Sequence, residues 1–278
     1  MSSRGIFIQS NKKQFLGAKI AKYAMETRGK ATAHGIPVTI IEVEQVPAFQ
    51  HMVGKPYRKG NYAPYSFEDL QSFTLTRFMP PELMHFTGRA LVIDPDIFAL
   101  TDITPLIDTD LGSAAIAACR KKDAWDSSVM VLDNARLAHW KIADMLNDIA
   151  AGARSYEDIS TLRTETAGIV ELSRQWNSLD HLDATTKMLH TTLRLTQPWR
   201  TGLPIDFTWN PVPKLFGIIP RIWVQRPTHY QPHPDKNIEK FFIDLFRETY
   251  RAGVITDHEI DAAIAAHDLR ADAHALLA

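Results

Sequence analysis

The sequence has little cysteine, no long apolar run and no excess of charge of either sign. A single cysteine, Cys119, excludes an intrachain disulfide, and chains of this kind are typical of reducing compartments, so we expect a cytoplasmic protein. No apolar run reaches the length of a membrane-spanning helix, and residues 1–4 lead straight into a strand-like segment, so we expect neither a transmembrane segment nor a signal peptide. Lys and Arg total 31 and Asp and Glu total 32, and this balance does not favour nucleic acid as a partner.

Glycine is also missing from the turn after the first predicted strand. That strand covers residues 5–9, and the chain continues as Ser-Asn-Lys-Lys over residues 10–13. A dinucleotide-binding dehydrogenase needs G-x-G-x-x-G at this turn, because only glycine lets the backbone approach the pyrophosphate closely. A generic Rossmann dehydrogenase is therefore not favoured.

The first three predicted elements form a βαβ unit. A helix over residues 16–27 carries apolar side chains at helical spacing, and residues 37–43 form a second strand rich in β-branched residues. A βαβ unit implies parallel strands with a right-handed crossover. We expect an α/β fold in which these strands belong to a parallel sheet.

The rest of the chain contains further predicted helices and strands. We predict helices over 67–78 and 137–151, strands over 113–119, 127–133 and 187–192, and a mixed region over 156–172. Eight of the sixteen prolines fall between residues 198 and 234, so this stretch is expected to wrap the domain as extended chain. An apolar stripe over 238–246 and a candidate capping box of Thr256 and Glu259 predict C-terminal helices. We divide the chain into an α/β domain over 1–200, a Pro- and Trp-rich wrapping segment over 201–235 and a helical extension over 236–278.

The most informative segment is a buried strand that ends in Asp94-Pro95-Asp96. Pro95 lacks an N–H and biases Asp94 towards an extended conformation, so both carboxylates should lie at the carboxyl edge of the sheet. Ligands of open α/β sheets bind at that edge. Paired carboxylates suit Mg²⁺ or Mn²⁺ bound together with a substrate diphosphate. The alternative is an ordinary Asp-Pro-Asp turn in water.

The order of these elements resembles the retaining GT-A-fold glycosyltransferases related to glycogenin and the bacterial lipopolysaccharide galactosyltransferases. The resemblance covers about residues 4–200 and is carried by the βαβ start, the acidic pair, the strand over 127–132 and Leu189-His190 before Gln197-Pro198-Trp199. It implies a GT-A-like, Rossmann-like fold with a mixed, mostly parallel sheet flanked by helices, and a nucleotide-sugar-binding catalytic domain over residues 1–200. It further implies that Asp94 and Asp96 bind Mn²⁺ (or Mg²⁺) and the nucleotide-sugar diphosphate. It also implies that His190 completes the metal site.

The resemblance implies further donor-binding and catalytic residues. Arg77 corresponds to a basic donor-binding residue, and Gln9, Ser10 and Asn11 stand where the family holds the base and ribose. Asp126 and Ser127 match its sugar-binding segment, and Asp126, Glu157 and Asp158 are the candidates for contacting or stabilising the transferred sugar. The alternatives are a surface charge for Arg77 and a strand cap for Asp126.

One position departs from the family pattern. The family has a phosphate-binding lysine where this chain has Gln197, and Arg200 or Lys187 is expected to supply the missing charge. Trp199 is interpreted either as a sugar-stacking side chain or as a buried aromatic residue.

The resemblance implies sugar transfer from a nucleoside-diphosphate sugar, with UDP-sugar preferred, to a glycan, lipid or small-molecule hydroxyl with retention. The loop over 47–66, with His51, Lys55, Arg58 and Lys59, either closes over the donor or is a solvated surface loop. The segment after residue 200 is expected to shape acceptor access or a subunit contact, so a homo-oligomer is one prediction. The alternatives are a degenerate sugar-nucleotide-binding protein and a sugar-nucleotide nucleotidyltransferase.

Overall fold

The structure is a computed structural model that describes residues 3–58, 64–207 and 226–277, and the backbone of residues 214–215 and 219–220. The strands are β1 (Arg4–Ser10), β2 (Val38–Glu42), β3 (Arg89–Ile93), β4 (Ile97–Ala99), β5 (Ile116–Lys121), β6 (Ala124–Asp133), β7 (Ile169–Glu171), β8 (Ser178–Leu179), β9 (Met188–His190), β10 (Lys214–Leu215) and β11 (Ile219–Pro220). The α-helices are α1 (Phe15–Glu26), α2 (Pro47–Gln50), α3 (Pro80–Leu83), α4 (Thr104–Ile107), α5 (Ile142–Ala150), α6 (Tyr156–Ser160), α7 (Lys236–Arg251), α8 (Asp257–Ala265) and α9 (Ala273–Leu277).

A six-stranded sheet in the order β2-β1-β3-β6-β5-β7 forms the centre of the molecule. Strand β1 pairs in parallel with β2 and β3, and β5 pairs in parallel with β7, whereas β6 runs antiparallel to both β3 and β5. The predicted mixed, mostly parallel sheet flanked by helices is confirmed. Because β1 and β3 run side by side in register, Ser10 and Asp94 leave the sheet at the same edge.

Helix α1 packs against the sheet through its small side chains. Its buried positions include Gly17, Ala18 and Ala21, which let the helix lie close to the strands. A Cβ added to Gly17 would lie 3.3 Å from the carbonyl oxygen of Pro95. The helix therefore supports the turn that carries the acidic pair.

A second, three-stranded sheet joins the acidic turn to a distant part of the chain. Strand β9 runs antiparallel to β4 with His190 opposite Ile97, and β8 runs parallel to β9. The Thr191 amide donates to the Asp96 carbonyl at 3.1 Å. This pairing brings His190 beside Asp96.

Two predicted helices differ from the structure. The prediction of one helix over residues 67–78 is wrong, because turns lead into a 3₁₀ helix, Thr74–Phe78. Asn11 Nδ2 donates to the carbonyls of Asp69 and Leu70 at 3.1 and 3.3 Å, so this segment is held against the end of β1. The helix predicted over 137–151 is shorter than expected, since it covers only Ile142–Ala150.

The C-terminal helices belong to the same hydrophobic cluster as the sheet. The stripe predicted over 238–246 lies on α7, and the ring of Phe242 lies 5.2 Å from that of Trp199 and 5.7 Å from that of Phe98. The capping box of Thr256 and Glu259 is confirmed at the start of α8. No helix within the described residues is long and apolar enough to cross a membrane.

Candidate active site

Asp94, Asp96 and His190 meet at the carboxyl edge of β3. Each offers one ligand atom, and these atoms lie within 4.8 Å of one another. His190 Nε2 lies 3.3 Å from Asp96 Oδ1. Two carboxylates and an imidazole form a donor set that a divalent cation such as Mn²⁺ can use, so the residues fit the predicted ion.

Arg77 forms two hydrogen bonds with the Asp94 carboxylate. Its Nε donates to Asp94 Oδ1 at 2.8 Å, its Nη2 donates to Asp94 Oδ2, and its Nη1 donates to Ser127 Oγ at 2.9 Å. Burial and the neighbouring charge of Asp96 raise the pKa of Asp94 above its ordinary value, although Arg77 opposes this effect. The arginine therefore fixes the orientation of Asp94 and leaves Asp96 as the less constrained carboxylate.

The electrostatics of His190 follow from three nearby acids. Burial acts against its charged form, but Asp96, Asp94 and Asp126 outweigh burial and raise the pKa of the imidazole. Burial likewise acts to raise the pKa of Asp126, but Lys121, the hydrogen bonds from Ser128 and the charge of His190 lower it to about 2. Asp126 is thus ionised at neutral pH.

These groups line one cavity of about 390 Å³. The predicted residues on its wall are Arg77, Asp94, Asp96, Asp126, Ser127, His190 and Gln197. Antiparallel pairing of β6 with β3 explains part of this assembly, because Val129 lies opposite Ile93 and the Asp94 amide bonds to the Ser128 carbonyl at 3.2 Å. Gln197 Nε2 lies 3.4 Å from Asp96 Oδ2.

The predicted base-binding residues lie elsewhere. Gln9, Ser10 and Asn11 are each 0% exposed, and none lines the cavity. Their side chains bond within the protein: Gln9 to the Phe7 carbonyl, Ser10 to the Asn11 carbonyl and Asn11 to the loop before Arg77. Gln14, one turn further on, does line the cavity.

The two acids predicted near the transferred sugar lie on α6. Asp158 accepts from the Ser155 hydroxyl at 2.6 Å as part of the helix cap, and neither Glu157 nor Asp158 lines the cavity. Their neighbours Tyr156 and Ser160 do line it. The helix as a whole therefore borders the site, although neither of these two carboxylates lines the cavity.

Three residues weighed for sugar or phosphate contacts also lie away from the cavity wall. Trp199 is 3% exposed and packs among Phe98 and Phe242, as in the buried-aromatic alternative. Arg200 is fully buried and pairs with Asp206 at 2.8 Å. The Lys187 ammonium lies 4.7 Å from the centre of the Trp176 ring.

Two basic residues that the sequence did not single out are on the wall instead. Arg194 lines the cavity, lies 5.1 Å over the Phe207 ring and forms none of the ion pairs found among the described residues. Burial lowers the pKa of Arg194 below its ordinary value. Lys121 lies 3.4 Å from Asp126 at the end of β5. In the sequence, the feature that points to Arg194 is its position four residues after the predicted metal ligand His190.

The loop after β2 is partly described. Arg58 pairs with Asp69 at 3.1 Å and lies 4.6 Å from the centre of the Tyr156 ring, while His51 and Lys55 are exposed. Lys59 lies outside the described residues. Closure of this loop over a donor stays a prediction.

No family model and no curated protein matches the chain. Among solved structures, the apo form of the glycosyltransferase GlyE from Streptococcus pneumoniae TIGR4 is 13% identical, with a TM-score of 0.52 over 91% of this chain and 64% of that chain. The galactosyltransferase LgtC, in complex with donor and acceptor sugar analogs, is also 13% identical, with a TM-score of 0.46 over 70% of this chain and 89% of that chain. This chain thus spans less than two thirds of GlyE, and the likeness concerns the fold. The chain has the fold of a GT-A glycosyltransferase.

Proposed function

We propose that this protein transfers a sugar from a nucleoside-diphosphate sugar to an acceptor hydroxyl, with a divalent cation bound by Asp94, Asp96 and His190. The observation that carries the proposal is the convergence of these three ligand atoms within 4.8 Å, in a cavity at the carboxyl edge of the sheet. The fold shared with the glycosyltransferase GlyE supports it. In the reaction, the bond from the anomeric carbon to the diphosphate oxygen breaks, the acceptor oxygen bonds to that carbon, and the proton of the acceptor hydroxyl passes to the leaving nucleoside diphosphate.

The charges on the cavity wall suit a diphosphate. The wall carries three basic residues, Arg77, Lys121 and Arg194, and three acidic residues, Asp94, Asp96 and Asp126. With a neutral imidazole these charges cancel, so a bound divalent cation would leave the wall with a net positive charge. Such a wall favours the negative charge that develops on the leaving nucleoside diphosphate.

Each chain residue then has a defined task. Asp94, held by Arg77, and Asp96 present carboxylate oxygens, and His190 presents Nε2. A bound Mn²⁺ or Mg²⁺ would supply Lewis-acid stabilisation of the diphosphate. Arg194 is the cation best placed to contact phosphate, because it has no carboxylate partner among the described residues. Asp126 and Ser127 are proposed to contact the sugar.

UDP as the nucleotide, Mn²⁺ as the ion and retention at the anomeric carbon are proposed on the family resemblance. The first test is a thermal-shift titration with UDP and GDP, each with and without Mn²⁺. Ligand at about 100 times its Kd stabilises the folded state by about 2.7 kcal/mol, which gives a measurable rise in Tm. We expect a rise with UDP that requires Mn²⁺, followed by sugar transfer or hydrolysis with a UDP-sugar.

Asp96→Asn is the variant of choice. Asp94→Asn would leave the buried Arg77 guanidinium without its carboxylate, which is strongly destabilising, whereas the contacts of Asp96 are with His190 and Gln197. Asp96→Asn should lose the Mn²⁺-dependent shift and turnover while its Tm without ligand stays close to that of the parent. Asp123→Asn, an exposed acid at the tip of the β5–β6 hairpin, is the matched control.

The outcomes separate the alternatives. Full turnover in Asp96→Asn would contradict the metal site. Pyrophosphate release from a nucleoside triphosphate would instead indicate a nucleotidyltransferase. A metal-dependent shift without transfer or hydrolysis would indicate a degenerate binding protein.

A further inference from the structure

A chain of four buried side chains connects Asp126 to His190. Ser128 Oγ lies 2.7 Å from Asp126 Oδ1, Asn177 Nδ2 lies 3.0 Å from Ser128 Oγ, and Asn177 Oδ1 lies 2.8 Å from His190 Nδ1. All four residues are less than 10% exposed, and Asn177 is fully buried. Asn177 does not line the cavity, so it acts only through its neighbours.

The direction of each hydrogen bond follows from the carboxylate at one end. Ionised Asp126 can only accept, so the Ser128 hydroxyl must donate to it. A hydroxyl has one proton, so Ser128 Oγ must accept from the amide group of Asn177. Asn177 therefore turns its Nδ2 towards Ser128 and its carbonyl oxygen towards His190. A carbonyl oxygen can only accept, so His190 Nδ1 must carry a proton.

The reversed arrangement is unfavourable for a specific reason. If the Asn177 amide were rotated, its oxygen would face Ser128 Oγ, and the single hydroxyl proton would have to serve either Asn177 or Asp126. Serving Asn177 would leave two oxygens 2.7 Å apart without a proton between them. It would also remove a charge-assisted hydrogen bond, which is about twice as strong as a neutral one.

We infer that the Asp126–Ser128–Asn177 chain keeps a proton on Nδ1 of His190, so that Nε2 is the nitrogen available to a cation. Nε2 faces Asp96, at 3.3 Å from its Oδ1. In the metal-free protein this carboxylate attracts a second proton to Nε2, and a bound cation would take the place of that proton. Metal-binding histidines generally donate their other ring N–H to a neighbouring group, which fixes both tautomer and ring orientation. The consequence for cation binding rests on the proposed function, whereas the tautomer does not.

This inference gives Asp126 and Asn177 defined positioning roles. Asp126, on β6, sets the direction of the hydrogen bonds in this series of side chains. Lys121 and Arg174 lie 3.4 and 3.5 Å from its other carboxylate oxygen. Asn177, the residue before β8, continues the same order of donors and acceptors to His190 at the end of β9. The imidazole is thereby presented to the cavity in one form.

The test begins with nitrogen NMR of metal-free Asp96→Asn at alkaline pH, where the imidazole is neutral and Nε2 no longer faces a carboxylate at position 96. His190→Gln identifies the signals of His190 among the eleven histidines. We expect the proton on Nδ1 and an unprotonated Nε2. A proton on Nε2 in Asp96→Asn would overturn the inference, and this result does not depend on any metal.

Variants of Ser128 test the chain itself. Added to Asp96→Asn, Ser128→Ala removes the link, so Asn177 can rotate and the Nε2-protonated tautomer should appear. As a single change, Ser128→Ala should lower Mn²⁺ affinity about 10- to 100-fold, as for other outer-shell partners. Ser128→Thr keeps the hydroxyl and should leave the proton on Nδ1. An unchanged tautomer in the double variant with Ser128→Ala would overturn the role of the chain. If the parent bound no Mn²⁺, the proposed function would fail while the tautomer would still decide this inference.

Discussion

At the scale of single residues, the cavity wall contains an arginine, Arg194, that the family resemblance did not predict. Gln197 occupies the position where the family resemblance implies a phosphate-binding lysine, and it instead lies 3.4 Å from Asp96. Arg194, three residues earlier, lines the same cavity without a carboxylate partner among the described residues. An unpaired, partly buried guanidinium favours an anionic ligand, because it has already lost much of its hydration.

We predict that Arg194→Gln weakens UDP binding in the presence of Mn²⁺. The loss of one charge-assisted contact should lower affinity about tenfold, equivalent to about 1.4 kcal/mol, as measured by calorimetric titration. Arg163→Gln, at an exposed arginine outside the cavity, is the control and should bind as the parent does. Equal affinity in both variants would remove Arg194 from the donor site.

At the scale of elements, helix α7 joins the C-terminal region to the sheet. Its buried side chains, including Phe242 and Leu245, belong to the same cluster as Ile93, Phe98 and Trp199. Trp199 follows β9, which ends at His190, and the segment that contains Arg194. Because the helix packs against Trp199, it supports the segment behind the cavity. The apolar stripe therefore packs against the core within this chain.

We predict that Phe242→Ala lowers the free energy of unfolding by about 3 kcal/mol or more, as is usual when a buried phenylalanine is truncated. Phe242 is 2% exposed, so the deletion leaves a cavity between α7 and Trp199. Lys240→Ala on the exposed face of α7 should change stability by only about 0.5 kcal/mol. Urea denaturation followed by tryptophan fluorescence measures both, and equal midpoints would show that α7 adds little to the core.

At the scale of the whole molecule, an acid lies between the C-terminal helices and the part of the chain that carries the candidate site. Asp268, just after α8, lies 3.6 Å from the buried guanidinium of Arg200. Burial and the charge of Asp206 raise its pKa to about 6, although Arg200 and Lys13 oppose the shift. The folded protein therefore binds a proton at Asp268 more tightly than the unfolded chain does.

The sign of the pH effect follows from this shift. A raised folded-state pKa gives stability that is present below the unfolded pKa of about 4 and is lost as pH rises through about 6. Asp268→Asn mimics the neutral form, so we predict a gain of about 1 kcal/mol at pH 7.5, or about 2–4 °C in Tm, after allowance for partial exposure. The gain should vanish near pH 4.

Asp272→Asn is the control of opposite sign, because hydrogen bonds from Arg270 lower the pKa of Asp272. This variant should show no gain in Tm at pH 7.5. A lower Tm of Asp268→Asn than of the parent at pH 7.5 would show that the pairing with Arg200 outweighs the cost of burial.

Many of the strands and helices were predictable, because the sequence patterns that predict them are local. The apolar run before Asp94 and the rigid ring of Pro95 predict a buried strand that ends in two carboxylates, and the structure confirms that strand as β3. The capping box of Thr256 and Glu259 is also a local pattern, and it is present as predicted. The prediction of a helix over 67–78 was wrong, and the contact that holds this segment comes from Asn11, far away in sequence, so no local pattern shows it.

By itself, the sequence determined the chemistry available to the site: two carboxylates after one strand and a histidine at the end of another. Only the tertiary structure decided which other side chains surround them. Asn177 is 13 residues from His190 and 49 from Ser128, and Gln197 is 101 residues from Asp96. Strand order and register set such contacts, and both depend on packing of the whole core, since local backbone preferences do not specify which distant strands become neighbours.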